Sequence, residues 1–316
     1  MHKENLIFRN NFDDIAGFIP SGNDVFMVYD SNAEQYADEL AGLIDIKGSM
    51  SIEASEEEKT MDTVMDIIRF LLALDADRNA LLLAVGGGIT TDLAGFAASI
   101  YKRGINCAYI PTTLLAQVDA AIGGKTAVNV DGFKNMAGTF SMPLFTYVNS
   151  STLSSLPERE IRCGIAEMLK TFLIEGPEHY SEAVRTISEG RDIGSLAEMA
   201  ARFKAAVAER DPLEKAERRK LNLGHTFAHA IEWYEHCHNV AAPLSHGEAV
   251  AIGIIQAARM ENPEFADRIA SDFRACGLPT ELPYPMEELE PAMHKDKKNK
   301  GTTIKFVTIK APGEVE

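Results

Sequence analysis

Two histidines, His225 and His229, stand four residues apart in LNLGHTFAHAIE, residues 221–232, an otherwise apolar and helix-forming run. Four residues is about one helical turn, so the two imidazoles share a face and can serve together as metal ligands. Two further groups with ligand chemistry sit in separate apolar runs: Glu167 in GIAEMLK, with Lys170 three residues on, and His246, with Glu248 nearby, opening SHGEAVAIG. Two histidines and one carboxylate from separate helices make a catalytic zinc site with a position left open for substrate. Each residue also has a plainer reading. Glu167 and Lys170 are spaced for an intrahelical ion pair, and a lone helix histidine is more often satisfied by a hydrogen bond than by a metal.

A second group of residues suits anions. Gly86-Gly87-Gly88 follows the apolar run LLLAV (81–85) and precedes TTDLAGFAASIYKRG, the order strand, glycine turn, helix. Bare backbone amides at a helix start attract phosphate. Thr91 stands where the third glycine of GxGxxG would be, so a simple tight turn fits as well as a cofactor loop. Thr90 or Thr91 is placed to cap the helix, and Asp92 to sit in its first turn. QVDAAIGGKTAVNVDGFKNMAG (117–138) is too rich in glycine and polar groups for a strand or helix, and carries Asp119, Lys125, Lys134 and Asn135. Lysines on glycine-flanked loops suit a phosphate or carboxylate, and equally suit an exposed loop.

These groups need a frame to hold them. The chain has 316 residues, 46% hydrophobic and 25% charged, with no repetitive tract, which fits about two ordinary globular domains. The first half alternates short apolar runs with helical patterns: VFMVYD (25–30), LLLAV and CAYIPTT read as strands, EQYADELAGLI as a helix, and the acidic SEEEKTMDTVMDIIRFLLALDA as a solvated start running into an amphipathic helix. From SSLPERE onward long helical patterns dominate, and a late strand, TIKFVTI, follows the basic run HKDKKNKG. The expectation is an N-terminal Rossmann-like parallel-sheet α/β domain, residues 1–156, and a mainly α-helical domain, residues 157–316. A net charge of -16 repels polyanions, which disfavours nucleic acid. No run is apolar enough to span a bilayer, and MHKENLIFRN lacks a signal-peptide core, so no membrane partner and a cytoplasmic location are expected. Cys107, Cys163, Cys237 and Cys276 lack CxxC spacing and are expected as buried thiols.

Taken together, GGGITTDLAGF, YKRG, IPTTLLAQVDAAIGGKTAVN, GFKNMAG, LPEREIRCGIAEMLK, LNLGHTFAHAIE, SHGEAVAIG and DKKNKG, in that order, resemble the 3-dehydroquinate synthase family and, more broadly, the sugar phosphate cyclases. The resemblance spans most of the chain. It implies a divalent metal, zinc first and cobalt second, held by Glu167, His225 and His246, with His229 on the substrate phosphate instead. It implies a substrate pocket lined by Lys125, Lys134, Asn135, Lys170, Lys204, Glu214, Arg218, Asn222 and one of Lys297 and Lys298. It further implies a homodimer, with Arg103 of YKRG reaching the phosphate across the interface. For NAD it implies Asp30, Asn32, Glu56, Lys59, Gly87, Gly88, Ile89, Thr90, Thr91, Asp92, Thr112, Thr113, Asp119, Lys125, Lys134 and the run Thr152, Leu153, Ser154, Ser155.

The implied substrate is 3-deoxy-D-arabino-heptulosonate 7-phosphate, whose phosphate and carboxylate give a basic cluster a purpose inside an acidic protein. The implied reaction oxidises a ring hydroxyl with NAD, eliminates phosphate, returns the hydride, opens the ring and closes the carbocycle by an intramolecular aldol step. The chain departs from the family pattern at ITT after GGG, at Thr171-Phe172, at Thr152 and before Lys59. The link WYEHCHNVAAPLS is longer than usual, its His236 and His238 reading as exposed loop residues. The rival readings are a cyclase whose substrate lacks the carboxylate, a glycerol-dehydrogenase-like oxidoreductase and a catalytically silent paralogue. Lys204, Arg218 and Asn222 argue against the first, because a site with no carboxylate to bind has no need of that group.

Overall fold

The computed structural model describes residues 5–294 and 304–316. Lys297 and Lys298 lie outside the described residues. The chain divides into two compact units, Met1–Leu156 and Pro157–Glu316.

The first unit is built on six strands: β1 (Leu6–Arg9), β2 (Val25–Asp30), β3 (Ile46–Ile52), β4 (Leu81–Gly86), β5 (Asn106–Pro111) and β8 (Thr146–Asn149). All pair in parallel, in the order β1-β8-β5-β4-β2-β3. Helices α1 (Glu34–Leu43), α2 (Met61–Ala73) and α3 (Gly88–Ile100) make the crossovers. Every residue of β4 is buried, as a central parallel strand covered on both faces requires. Alternate residues feed two cores. Phe26, Val28, Leu82 and Ala84 pack with α2 and α3 side chains such as Val64, Ile67, Leu93 and Phe96. Val25, Met27, Leu81, Leu83 and Val85 pack with Phe12, Ile15, Ala37 and Leu40 on the other face. The connection from β2 runs out to β3, and that from β4 runs the opposite way to β5. The order therefore reverses between β2 and β4, and a doubly wound sheet binds its ligand outside the carboxyl ends of the strands at such a point. The fold class is the one the alternating pattern implied.

Three local expectations are corrected. Residues 117–138 are not irregular: Ala116–Ala120 forms a short wide helical turn, and β6 (Lys125–Val130) pairs antiparallel with β7 (Phe133–Phe140). The signal was Asp131-Gly132, whose φ angles of 51° and 79° are what a two-residue hairpin turn needs. Second, neither Thr90 nor Thr91 caps α3. The helix starts at Gly88 behind Gly87 with no side-chain cap, and Thr91 turns back to donate to the Gly88 carbonyl at 3.0 Å. Asp92 accordingly sits beyond the first turn. Third, residues 304–308 of TIKFVTI are outside any strand. The short β9 (Ile309–Ala311) pairs with β10 (Glu314–Val315), and Thr308 just before it exchanges backbone hydrogen bonds with Glu316, so the pairing reaches back only to residue 308.

The second unit contains α4 (Glu158–Glu175), α5 (Pro177–Ser188), α6 (Gly194–Arg210), α7 (His225–Cys237), α8 (His246–Glu261), α9 (Pro263–Ala275) and α10 (Met286–His294), with a 3-10 turn at Glu217–Asn222. Helix α4 is its axis: every residue from Cys163 to Leu173 is buried, so the helix is enclosed all round rather than amphipathic. Helix α8 packs against α4, α7 and α9. Glycines permit the close approaches. A Cβ on Gly247 would meet the Cys163 carbonyl oxygen at 2.2 Å, and one on Gly253 would meet the Gly224 oxygen at 2.1 Å. Three cysteines are buried as expected, but Cys237, on the last turn of α7, is exposed. His236 lies on that same turn rather than in a loop.

Candidate active site

The all-round burial of α4 places Glu167 at zero exposure. Lys170, one turn on and 1% exposed, is ion-paired with it. His225 opens α7 just after Gly224, which sits in the left-handed region, φ 80°, and His246 opens α8 behind the Ser245–Glu248 capping box. Their Nε2 atoms lie 3.6 Å and 3.4 Å from Glu167 Oε1. Among the described residues these three form a set whose ligand atoms all fall within 4.8 Å of one another. Ligands roughly 2.0–2.1 Å from a tetrahedral zinc stand roughly 3.3 Å apart, so the spacing fits the ion. Neither Glu167 oxygen makes a hydrogen bond of good geometry, although both are buried. Burial opposes charge on His246, but the facing carboxylates of Glu232 and Glu167 prevail and push its pKa up to about 10. The surroundings favour a cation at that place, and a His-His-Glu donor set suits a divalent one. His229 is outside this set. Its ring stands edge-on to that of His225, centroids 5.5 Å apart.

Lysine and arginine are almost never buried without a purpose. Among the described residues the buried ones are Lys59, Lys170, Lys204 and Arg218, and all four are among the residues singled out in the sequence. Three belong to the second unit. Lys170 is on α4 and Lys204 on α6, and both helices pack against the turn at Glu217–Asn222 that carries Arg218. That turn is held by Asp211, whose carboxylate accepts from the backbone N–H groups of Lys215, Ala216 and Arg218 at 2.9, 2.6 and 3.1 Å. Glu214, forced to φ 55°, accepts from Asn222 Nδ2 at 2.6 Å.

In the first unit the anion-suited residues gather at the carboxyl ends of β2, β4 and β5. A Cβ on Gly86 would strike Thr90 and Asp30, one on Gly87 would touch Thr113, and one on Gly88 would strike Ala120. Asp30 accepts from the Asn32 backbone at 2.9 Å, and the Thr112 backbone donates to the Gly86 carbonyl at 3.0 Å. Lys59 bridges Asp92 at 2.5 Å and Asn135 at 2.7 Å, and Lys134 pairs with Glu56 at 3.4 Å. The irregularity in pairing between Val128 and Val130 turns Asn129 out to reach the Glu56 carboxylate at 2.8 Å and the Asn135 N–H at 2.9 Å. The turn Ser150–Ser155 holds Thr152, Leu153, Ser154 and Ser155, and is tied by Tyr36 to Ser155 and by Gln117 to Thr152. Lys125, the first residue of β6, is exposed; Ile89 is in the first turn of α3, and Asp119 in the wide turn before the hairpin. Arg103 is not with this group. It lies past the far end of α3, about 20 Å along the helix from Gly88, in a turn where Lys102 and Arg103 both have positive φ, 48° and 71°.

Sequence reasoning did not single out Glu232, Asp211, Asn129 or Gln117. Glu232 was within reach, because it falls two turns after His225 on the same helical face. Asn129 and Gln117 reach Glu56 and Thr152 across long sequence separations, and Asp211 gathers N–H groups of an irregular turn four to seven residues on, which no helical spacing announces.

A parallel sheet with an uncapped helix start at its switch point, joined in one chain to a helical unit with a His-His-Glu set, defines a class of two-unit α/β enzymes. The solved 2-deoxy-scyllo-inosose synthase, complexed with carbaglucose-6-phosphate, NAD+ and Co2+, has this fold, with a TM-score of 0.85 at 26% identity over 98% of this chain and 90% of that one. Residues 49–163 match the 3-dehydroquinate synthase N-terminal family and residues 164–299 the 3-dehydroquinate synthase C-terminal family. The 3-dehydroquinate synthase of Xanthomonas oryzae pv. oryzae is 41% identical over 286 residues, 85% of this chain and 76% of that protein. That of Acetivibrio thermocellus is 38% identical over 298 residues, 89% and 81% of the two chains. The chain belongs to the 3-dehydroquinate synthase family.

Burial raises the pKa of Asp211, but its three backbone donors and Arg218 outweigh that and hold it below the usual carboxylate value. A group depressed in this way contributes stability that is complete above its unfolded pKa and is lost as pH falls through the folded one. Asp211→Asn should therefore lower the urea midpoint at about pH 7, with the gap to the parent protein narrowing on acidification below about pH 4. A gap that stays constant across that range would show that the charge of Asp211 does not hold the turn.

Proposed function

We propose that this chain is a 3-dehydroquinate synthase, converting 3-deoxy-D-arabino-heptulosonate 7-phosphate to 3-dehydroquinate and phosphate. The observation that carries the reading is a His-His-Glu set in a unit whose buried cations, Lys170, Lys204 and Arg218, are anion-binding types. A polyol dehydrogenase has no phosphate or carboxylate to hold and gains nothing from burying them. The sequence identity points the same way, at 41% to a 3-dehydroquinate synthase and 26% to an inosose synthase.

In this reading Glu167, His225 and His246 hold a divalent metal, zinc or cobalt, and the start of α3 from Gly87 to Asp92, with Asp30, Asn32, Glu56, Lys59, Thr112, Thr113, Asp119, Lys134 and Thr152 to Ser155, holds NAD. When bound, the metal lowers the pKa of a coordinated hydroxyl and NAD takes up and returns a hydride. The chain's own residues bind and orient. Lys204, Arg218 and Asn222 hold the substrate's anionic groups, with Glu214 fixing the Asn222 amide. Lys170, ion-paired with Glu167, lines the substrate pocket. His229, one turn beyond His225, binds phosphate, and Lys125 and Asn135 complete the contacts. Retaining the intermediates within one site excludes solvent from a reactive ketone.

Arg103 acts in the site of a second copy. It stands at the far end of α3 from Gly88, and the strain of its turn is the kind kept where function needs it. Exposed Phe133, Met136 and Phe140 on β7 supply apolar surface for a homodimer.

Three outcomes follow. Purified protein with NAD and Zn2+ or Co2+ should release phosphate from the heptulosonate phosphate without accumulating NADH, and chelation or Glu167→Gln should cut the rate at least about 100-fold; sustained NADH build-up without phosphate would favour the dehydrogenase reading. His225→Ala should lose bound metal, whereas His229→Ala should keep near-normal metal content and lose substrate turnover, by atomic absorption and phosphate release. Equal metal loss would make both histidines ligands. Finally, mixing inactive Arg103→Ala with inactive His225→Ala should restore activity, because hybrid dimers contain one intact site, and no recovery after verified subunit exchange would place Arg103 in its own subunit's chemistry.

A further inference from the structure

We infer that Glu232 is a positioning residue for the metal site, the outer carboxylate that fixes the ring of His246; the inference rests on the metal-dependent reading above. Glu232 Oε1 lies 3.0 Å from His246 Nδ1, and the Glu232 side chain is 6% exposed. A carboxylate only accepts, so Nδ1 is the nitrogen that carries the hydrogen of this bond. The lone pair is thereby left on Nε2, the nitrogen that stands 3.4 Å from Glu167 Oε1. One hydrogen bond settles both the tautomer and the rotation of the ring.

The two histidines of the set are held by different means. His225 Nδ1 is 3.2 Å from the Leu223 carbonyl, a neutral acceptor two residues away that comes with the tight turn at Gly224. No side-chain substitution removes it. His246 has no such local acceptor and depends on a charged group from another helix. Glu232 is seven residues after His225, two turns along α7, so one helix carries both a ligand and the group that orients the ligand on α8. A shift of α7 against α8 then moves both histidines together.

Packing alone does not explain a carboxylate here. Glu235, one turn along, is also buried at 4% and already has a structural task, accepting from the Leu244 N–H at 3.0 Å and from the Tyr284 hydroxyl at 3.0 Å. A second buried carboxylate on the same turn adds repulsion and desolvation that an apolar side chain would avoid. Its partner is the imidazole, and the charge it adds behind that imidazole makes the ring a stronger donor to a cation.

The test uses the full chain and Co2+ as probe, with affinity read by competition against a chromophoric chelator. Glu232→Ala should weaken Co2+ binding about 10- to 100-fold while the metal-free protein melts as the parent does, and excess Co2+ should restore phosphate release. Glu232→Gln can still accept from Nδ1 through its amide oxygen, so it should lose less affinity than Glu232→Ala. Affinity within twofold of the parent in a folded Glu232→Ala protein overturns the inference alone. Should Glu232→Ala fail to fold, Glu232→Gln carries the test: weaker binding with a changed visible Co2+ spectrum supports the role, and parental affinity and spectrum overturn it. Failure of the parent protein to bind Co2+ removes the metal-dependent reading and this inference with it.

Discussion

The second unit is organised around one buried negative charge. Taking a carboxylate out of water costs several kcal/mol even after the protein relaxes, and Glu167 has no solvent contact at all. Lys170 supplies one positive charge from the next turn of α4, but an ion pair on a fully enclosed helix has its own desolvation to offset. An apolar pair would pack there at less cost. The arrangement makes physical sense when a further cation is shared between Glu167 and the two imidazoles that face it, which turns an expensive buried acid into a ligand.

That requirement dictates the helix packing. Three ligand atoms on three helices must converge within a few ångströms, and side chains between the helices would hold them apart. Gly247 lets the start of α8 lie against the α4 backbone at Cys163, one turn before Glu167. Gly253 and Gly224 bring α8 against the start of α7 in the same way. The glycines beside His225 and His246 are therefore spacers of zero thickness, and the motif letters around the histidines record distances as much as chemistry. The first unit works on a different principle. Its parallel sheet leaves backbone amides uncapped at Gly88 and surrounds them with side chains from strand ends, so what this place offers an anion is largely main chain.

Parts of this were legible before folding. The strands VFMVYD and LLLAV and the helices of the second half follow from apolar runs and helical periodicity, because those patterns report burial directly. The hairpin at 125–140 was hidden because glycine and polar residues obscured its alternation, although Asp131-Gly132 marked its turn. Thr90 and Thr91 have capping chemistry, but the helix begins earlier because the glycine run itself enters helical geometry at Gly88. The candidate metal set was not legible from spacing. His225 and His229 look like the natural pair, whereas the residues brought together are 167, 225 and 246, joined by tertiary contacts that sequence distance does not encode.

An acidic chain that buries its cations also resolves an apparent contradiction. With a net charge of -16, the exterior repels the anionic substrate implied by family membership, so binding cannot depend on long-range attraction to the whole protein. It must come from short-range contacts in a low-dielectric setting, where a guanidinium or ammonium held by surrounding structure acts with little competition from water. Arg218 at 2% exposure and Lys204 at 7% meet that condition, and an exposed lysine patch of equal charge would not. Burial also ties selectivity to shape. Held by its protein partners, each cation rewards a ligand oxygen that arrives in the right place and offers little to one that does not, which suits a site that must hold a single small molecule while its bonding changes.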